Sequence, residues 1–188
     1  AFQECEPLDM LWDNSLLDEM NGWVRESMEK NGWQRISRDE YEQVVSQLAV
    51  LYEQLPMQII HRDIHFGNFL FADDVFSGYI DFDLSQRNIR LFDLCYFLLG
   101  LLSEDEGLRI TEDTWFLFLQ NMLAGYESIL ALSEAEKKAV PYVMECIELL
   151  FIAWFDNEKN DSCAENAYKI YKFVRQRENE LSRRSVTA

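Results

Sequence analysis

Apolar residues return at three- and four-residue steps through most of the chain, and this helical spacing is interrupted in one region. Such spacing is typical of helices that bury one face, whereas short β-branched and aromatic runs between polar turns are typical of strands. The predicted helices cover Pro7 to about Lys30, Ser37 to Pro56, Leu91–Leu102, Thr111–Leu130, Ser133 to about Phe155, and Ala164–Leu181. The sequence therefore predicts a mainly α fold with a small β patch, of the α+β class.

Local signals predict where several elements begin and end. Ser37 and Ser133 each have a Glu three positions later, which is a capping-box pattern, and Gly32 indicates a helix end. Pro141 is a candidate kink. The predicted strands are Gln58–Ile60, Asn68–Phe71 and Gly78–Phe82, and the tail from Arg183 is expected to fray.

Length and charge limit the possible classes of protein. The 188 residues suit one domain or one lobe of a larger enzyme, and 34 acidic against 17 basic side chains give a net charge of −17. This charge would repel phosphate backbones and anionic lipids, which argues against nucleic-acid and membrane partners. It would attract a cationic small molecule, or it simply keeps the surface hydrated.

The cysteines and the apolar runs indicate a cytoplasmic protein. Cys5, Cys95, Cys146 and Cys163 form no Cys-x-x-Cys pair, so we expect reduced thiols that lie mostly in the core. The longest uncharged apolar stretch, Leu94–Leu102, is far shorter than the roughly 18 residues that a membrane span needs.

The β patch contains the polar residues that are the best candidates for catalysis or metal binding. A hydrophobic strand runs into a polar loop with Asp63 and Asn68, and a hairpin then returns Asp81 after another apolar run. An Asn carbonyl and an Asp carboxylate suit Mg²⁺, which takes few protein ligands and completes its octahedron with water and phosphate oxygens. Any one of these residues alone would more commonly be a turn former or a helix cap. Their conjunction favours a metal site with a third acid beside it.

The spacing His61-x-Asp63-x-x-x-x-Asn68, followed by Ile80-Asp81-Phe82, resembles the catalytic loop and metal-binding Asp of protein-kinase-like phosphotransferases. The run His-x-Asp-x-His-x-Gly-Asn is similar to the aminoglycoside phosphotransferase and choline kinase superfamily. Arg62 departs from the Gly common in that family, and Phe66 replaces a frequent Pro. The segment Arg90–Leu94 resembles the family segment in which an Asp, here Asp93, braces the catalytic loop.

The resemblance implies a role for each site residue. Asp63 would accept or orient the proton of the acceptor hydroxyl, and His61 would order the loop through hydrogen bonds. Asn68 and Asp81 would hold the Mg²⁺ that bridges the ATP phosphates, with His65 as a supporting residue on the cofactor side. Asp83 is either an additional metal carboxylate or a turn acid. The implied cofactors are ATP and Mg²⁺.

The resemblance covers one lobe of such an enzyme. No Gly-x-Gly loop occurs in the chain, and nothing before His61 resembles a sheet. Residues 1–188 are therefore expected to form a single protein-kinase-like C-terminal lobe, which lacks an N-terminal ATP-clamping lobe and binds nucleotide weakly by itself.

The expected acceptor is a hydroxyl of a small molecule. Only about ten residues separate Phe82 from Asp93, which leaves no room for a protein-kinase activation segment. Aminoglycosides, choline, homoserine and unfamiliar sugars all remain open, as do the oligomeric state and the choice between ATP and GTP. The acidic run Glu104-Asp105-Glu106 is either a solvated loop or the mouth of a site for a cationic acceptor. Five aromatic residues are either core residues or a wall for such an acceptor: Trp115, Phe116, Phe118, Trp154 and Phe155.

Two other classes of function are considered beside the kinase. One is a catalytically silent module that keeps the kinase-like fold for binding or structure. The other is a helical interaction domain with a chance motif. The presence of Asp63, Asn68 and Asp81 together argues against a silent module, because a scaffold does not need all three.

Overall fold

The computed structural model describes residues 14–103 and 110–187. Cys5, residues 7–13 of the first predicted helix, and Glu104–Glu106 lie outside the described residues. The helices are α1 (Leu16–Glu19), which a kinked segment (Met20–Val24) joins to α2 (Arg25–Lys30), then α3 (Arg38–Tyr52), a 3-10 turn (Phe66–Asn68), α4 (Leu91–Ser103), α5 (Glu112–Glu127), α6 (Glu134–Asn157), α7 (Asp161–Gln176) and α8 (Glu178–Thr187). The strands are β1 (Met57–Ile60), β2 (Phe69–Ala72), β3 (Val75–Tyr79) and β4 (Gln86–Ile89). The predicted mainly α fold with a small β patch is confirmed.

The strands form two separate antiparallel pairs. β1 pairs with β4 in the register Met57↔Ile89 to Ile60↔Gln86. β2 pairs with β3 through a two-residue turn at Asp73 and Asp74, whose φ angles of 50° and 61° are those of the hairpin turns that match strand twist. The first pair anchors the start of the loop that contains Asp63, and the second anchors its end.

Helix α6 is the centre of the core. Its residues are buried on nearly every side, and it contacts α2, α3, α4, α7 and α8. The Ser133 hydroxyl accepts from the Glu136 N–H at its start, so the predicted cap is confirmed. Pro141 lies inside the helix, seven positions after its first residue, Glu134, and the helix continues past it to Asn157. In the part of the chain that the structure describes, none of the helices combines the length and the apolar character needed to cross a bilayer.

The prediction of one continuous helix up to Lys30 is wrong. Gly22 has φ −102° and ψ −115°, which are not helical, and the chain bends there between α1 and α2. Glycine has no side chain to favour helical geometry, so a break at this position costs little. The predicted helix end at Gly32 is confirmed by its φ of 67°.

Three further boundaries differ from prediction. The strand predicted at Gly78–Phe82 lies earlier, at Val75–Tyr79, because the backbone turns at Asp81, whose φ is 63°. The helix predicted at Ala164–Leu181 is two helices, α7 and α8. The tail from Arg183 is helical and not frayed: Leu181 and Ser185 are buried, and α8 packs against α5 and α6.

Strand β4 was not predicted. Its residues, Gln86 to Ile89, are mostly polar, and polar runs do not indicate a strand. Asn88 is nevertheless fully buried, and its Oδ1 accepts from the Tyr52 hydroxyl at 3.1 Å. Side-chain hydrogen bonds inside the protein thus replace the apolar contacts expected of a buried strand.

Candidate active site

The loop that follows β1 is fixed by a single carboxylate. Asp93, in the first turn of α4, accepts from the backbone N–H of His61 through Oδ2 and of Arg62 through Oδ1, both at 2.8 Å. Burial raises the pKa of Asp93, and the two N–H donors oppose that rise. Asp93 therefore holds the backbone immediately before Asp63.

His61 links the loop to the strand end that carries Asp81. Its ring is buried and its Nε2 lies 2.9 Å from the carbonyl oxygen of Ile80. Because a carbonyl only accepts, Nε2 must carry the proton, and Nδ1 has no hydrogen-bond partner among the described residues. The ring also packs against Phe82 with centroids 4.7 Å apart. This arrangement suits a residue that orders the loop.

Asp63 lies at the centre of the predicted site. The Tyr96 hydroxyl donates to its Oδ1 at 2.8 Å, and the Asn68 amide donates to its Oδ2 at 3.3 Å and to its carbonyl oxygen at 2.9 Å. Burial, followed by the bond to Asp63, raises the pKa of Tyr96, so its hydroxyl stays a donor. His65 Nε2 lies 3.7 Å from Asp63 Oδ2, while its Nδ1 accepts from the Gly67 N–H at 3.1 Å.

Asn68 and Asp81 have the free oxygens that a Mg²⁺ ion would need. Asn68 is only 6% exposed; its Nδ2 donates to Asp63, and its Oδ1 receives no hydrogen bond from a described residue. The Ile80 N–H donates to the Asn68 backbone carbonyl at 3.0 Å, which places the backbone of the next residue, Asp81, near that of Asn68. Asp81 is exposed and makes no ion pair with the described residues. An amide and a carboxylate of this kind fit an ion that completes its shell with phosphate and water.

Asp83 lies two residues further along. It is exposed and is the second residue of a turn in which the Ser85 N–H donates to the Phe82 carbonyl at 3.0 Å. Within residues 14–103 and 110–187, no three His, Cys, Asp or Glu side chains are grouped so that they could hold a metal. A site made by Asn68 and Asp81 has only one such side chain and does not depend on a group of this kind.

Arg62 adopts a backbone conformation that favours glycine. Its φ is 70°, and its side chain turns inward, where it donates to Glu19 Oε1 at 2.5 Å and to Gln86 Oε1 at 2.9 Å. Glu19 is almost fully buried. The ion pair with Glu19 links α1 to the loop that contains Asp63, the hydrogen bond to Gln86 links β4 to it, and both oppose the strain of the left-handed backbone.

A cavity of about 310 Å³ opens beside Asp63, between α4, α6 and α7. This volume is at the lower end of the range for small-molecule sites, roughly 300–1,000 Å³. Its walls are mostly apolar, with a few polar groups. The lining residues are Asp63, His65, Tyr96, Leu99, Gly100, Ser103, Glu148, Phe151, Phe155, Cys163, Asn166, Ala167 and Ile170.

The aromatic residues singled out in the sequence separate into three groups. Trp115 and Phe116 are buried in the core, as expected from their spacing. Phe118 and Trp154 are exposed, whereas Phe155 lines the cavity. Cys95 and Cys146 are buried free thiols, which confirms the prediction for them, and Cys163 is a partly exposed thiol at the cavity wall.

Two residues of the cavity were missed in the sequence. Tyr96 lies three positions after Asp93, so helical spacing puts both on one face of α4 and could have identified it. Glu148 lies in an apolar run on α6. A carboxylate in such a run indicates a buried acid, which is rare without a partner and could have identified this residue.

Comparison with known proteins agrees with the geometry. Residues 3–135 match the model of a family described as the phosphotransferase enzyme family. The homoserine kinase of Phenylobacterium zucineum (strain HLK1) is 35% identical over 109 residues, which are 57% of this chain and 32% of that protein. The homoserine kinases of Rhizobium johnstonii and Rhodospirillum rubrum are each 32% identical, over 116 and 117 residues, and the match covers 61% of this chain and 34% and 35% of those proteins. The chain thus spans about a third of the length of the curated relatives it matches.

The family match covers more than half of the chain and includes every predicted site residue from His61 to Asp93. The chain belongs to the phosphotransferase enzyme family.

Proposed function

We propose that the protein transfers the γ-phosphate of ATP, in the presence of Mg²⁺, to a hydroxyl group of a small molecule that occupies the cavity beside Asp63. The observation that carries this proposal is the position of Asp63. Its carboxylate is held by Tyr96 and Asn68 at the edge of a cavity of small-molecule size. Homoserine kinases among the relatives support a small hydroxyl acceptor.

Asp63 is proposed as the group that accepts the proton of the acceptor hydroxyl. Its Oδ1 is bound by Tyr96 at 2.8 Å, whereas Oδ2 has longer contacts, of 3.3 Å with Asn68 and 3.7 Å with His65. Oδ2 therefore retains the lone pairs that a hydroxyl in the cavity would need. Tyr96 and Asn68 fix the carboxylate, so little reorientation is required when the acceptor binds.

Asn68 and Asp81 are proposed as the Mg²⁺ ligands. The bound ion would neutralise charge on the phosphate oxygens in a transition state that needs mainly positioning and electrostatic stabilisation. Asn68 would thereby couple the two halves of the site: its nitrogen donates to Asp63, and its oxygen would bind the metal.

We further propose that the nucleotide lies beside the β2–β3 hairpin. Large apolar side chains of the hairpin and the residue that follows it are between 39% and 66% exposed: Leu70, Phe71, Val75, Phe76, Tyr79 and Ile80. Ile80 directly precedes Asp81, so an adenine ring bound near Ile80 would lie close to a proposed metal ligand. We also propose that residues 1–188 form the lobe with the catalytic loop, and that an ATP-clamping lobe covers the hairpin.

The test is ATP turnover by the full-length protein with a panel of small alcohols, which includes homoserine and choline. Asp63→Asn should lower kcat by about 10²–10⁴-fold, the usual contribution of a general base. Asp74→Asn is the matched control, because it removes the same charge from an exposed turn where Asn is well accommodated.

Circular dichroism and urea unfolding of both variants separate a loss of chemistry from a loss of fold. Full turnover by Asp63→Asn would contradict the role of Asp63. A protein that binds Mg²⁺ and ATP but turns over none of the alcohols would instead match the silent module.

A further inference from the structure

Glu148 is a buried acid without a partner in the wall of the cavity. It lies on α6, is 3% exposed, and makes no hydrogen bond or ion pair with any described residue. Its oxygens are not among the buried polar atoms sealed from solvent, so the little exposure it has is toward the cavity that Asp63 also lines.

Other buried acids in the described part of the chain have a cation beside them. Glu136 is bound by Arg90 at 2.5 and 2.7 Å, and Glu19 by Arg62 at 2.5 Å. A carboxyl group buried without such a partner is unfavourable in its charged form, and burial accordingly raises the pKa of Glu148 well above its usual range. A cation that enters the cavity would supply the missing partner.

The cavity wall next to Glu148 also suits a cation. Phe151 is three residues further along the same helix; its ring lies 5.8 Å from that of Tyr96 and is stacked 5.9 Å from that of Phe155. Aromatic faces attract ammonium groups, and a partly desolvated site strengthens that attraction. The Tyr96 hydroxyl donates to Asp63 at 2.8 Å, and Tyr96 lines the same cavity wall as Glu148.

We propose that Glu148 is a specificity-determining residue that binds an ammonium group of the acceptor, so that the protein selects amino alcohols over neutral alcohols of the same size. This inference rests on the proposed function, because it assigns the cavity to the acceptor. The acceptor would span from its hydroxyl at Asp63 to its ammonium group at Glu148, with Tyr96 between the two.

The test compares acceptors that differ only in the amine: homoserine with 4-hydroxybutanoate, and 3-aminopropan-1-ol with propan-1-ol. In the full-length protein, Glu148→Gln should raise KM for the better amino alcohol about 10- to 100-fold, the value of one charge-assisted contact, and leave its deamino partner unchanged. The matched control is Glu145→Gln, one turn earlier on α6, which is fully buried but faces Arg175 instead of the cavity.

The result that overturns the proposal is a Glu148→Gln variant that keeps the preference for the amine. An equal loss with both members of a pair would also overturn it, because that is the signature of a structural role. Glu145→Gln should retain the preference of the natural protein.

A second measurement remains informative if no alcohol is phosphorylated, which would defeat the proposed function. Cys163 lines the same cavity and is partly exposed, whereas Cys95 and Cys146 are buried, so alkylation at Cys163 reports occupancy. Peptide mass spectrometry should show that 3-aminopropan-1-ol slows this alkylation in the natural protein and in Glu145→Gln, but not in Glu148→Gln. Equal protection by propan-1-ol, or no protection by the amine, would overturn the role of Glu148.

Discussion

Replacement of Asp93 by Asn should damage both the stability and the activity of the protein. Each oxygen of Asp93 accepts one backbone N–H, from His61 and from Arg62, at 2.8 Å. Asn keeps one acceptor but turns an NH₂ group toward the other N–H, so one charge-assisted hydrogen bond is lost and one buried donor is left unpaired. Hydrogen bonds to charged groups contribute about 1.5–3 kcal/mol, so we expect a loss of about 2–4 kcal/mol in the free energy of unfolding. In a chain of this size that corresponds to roughly 4–16 °C in Tm.

The loss of activity follows from the place of the bonds in the loop. The two N–H groups immediately precede Asp63, and a displacement of about 1 Å near reacting groups can lower a rate on the order of 10²-fold. Urea unfolding gives the stability, and turnover measured well below the unfolding midpoint gives kcat for the folded enzyme. Asp74→Asn again controls for the loss of one negative charge.

The reasoning would be refuted by an Asp93→Asn variant whose unfolding free energy lies within about 0.5 kcal/mol of the natural protein, since surface substitutions have effects of that size. It would also fail if stability fell and kcat did not, because the brace would then be unrelated to the position of Asp63.

Two further predictions concern the buried ion pairs. Arg62→Gly should relieve the strain of the left-handed backbone but leave buried Glu19 unpaired, so we expect the free energy of unfolding to fall by about 1–3 kcal/mol. Addition of Glu19→Gln should restore part of that loss. Additive effects of the two substitutions in a urea-unfolding cycle would contradict this coupling. Burial raises the pKa of Glu145 to about 8 against the opposing effect of Arg175, so the folded protein binds a proton that the unfolded chain releases near pH 4.5. The contribution of Glu145 to stability should therefore fall by up to about 1.4 kcal/mol per pH unit as pH rises from about 4.5 to 8, and the pH dependence of unfolding in Glu145→Gln should lack that contribution across this window.

The sequence predicted those features that depend on neighbours along the chain. The Ser37 and Ser133 side chains both cap their helices as predicted, and Ser133 completes the capping box with Glu136, because such a cap lies within four residues. Likewise, the proposed site residues lie within about twenty positions of one another, and a strand and a hairpin set their spacing: His61, Asp63, Asn68 and Asp81.

Features that depend on distant contacts could not be predicted. Strand β4 has a polar sequence, and only its pairing with β1 and the hydrogen bonds of Asn88 explain its burial. The partner of Arg62 is Glu19, 43 positions earlier, and nothing in the local pattern connects them. Glu148 is likewise a cavity residue only because α6 crosses α4 and α7.

The exposed apolar hairpin has a consequence for handling the protein. β2 and β3 form an isolated two-stranded sheet, so each strand has an edge without a strand partner in the described structure. Exposed apolar side chains lie next to those edges and favour association between copies of the chain. The net charge of −17 keeps copies of the chain apart at low ionic strength. Added salt shortens the range of that repulsion to about 10 Å at 0.1 M. Concentrated salt therefore works against a monodisperse sample of residues 1–188, and dilute buffer favours it.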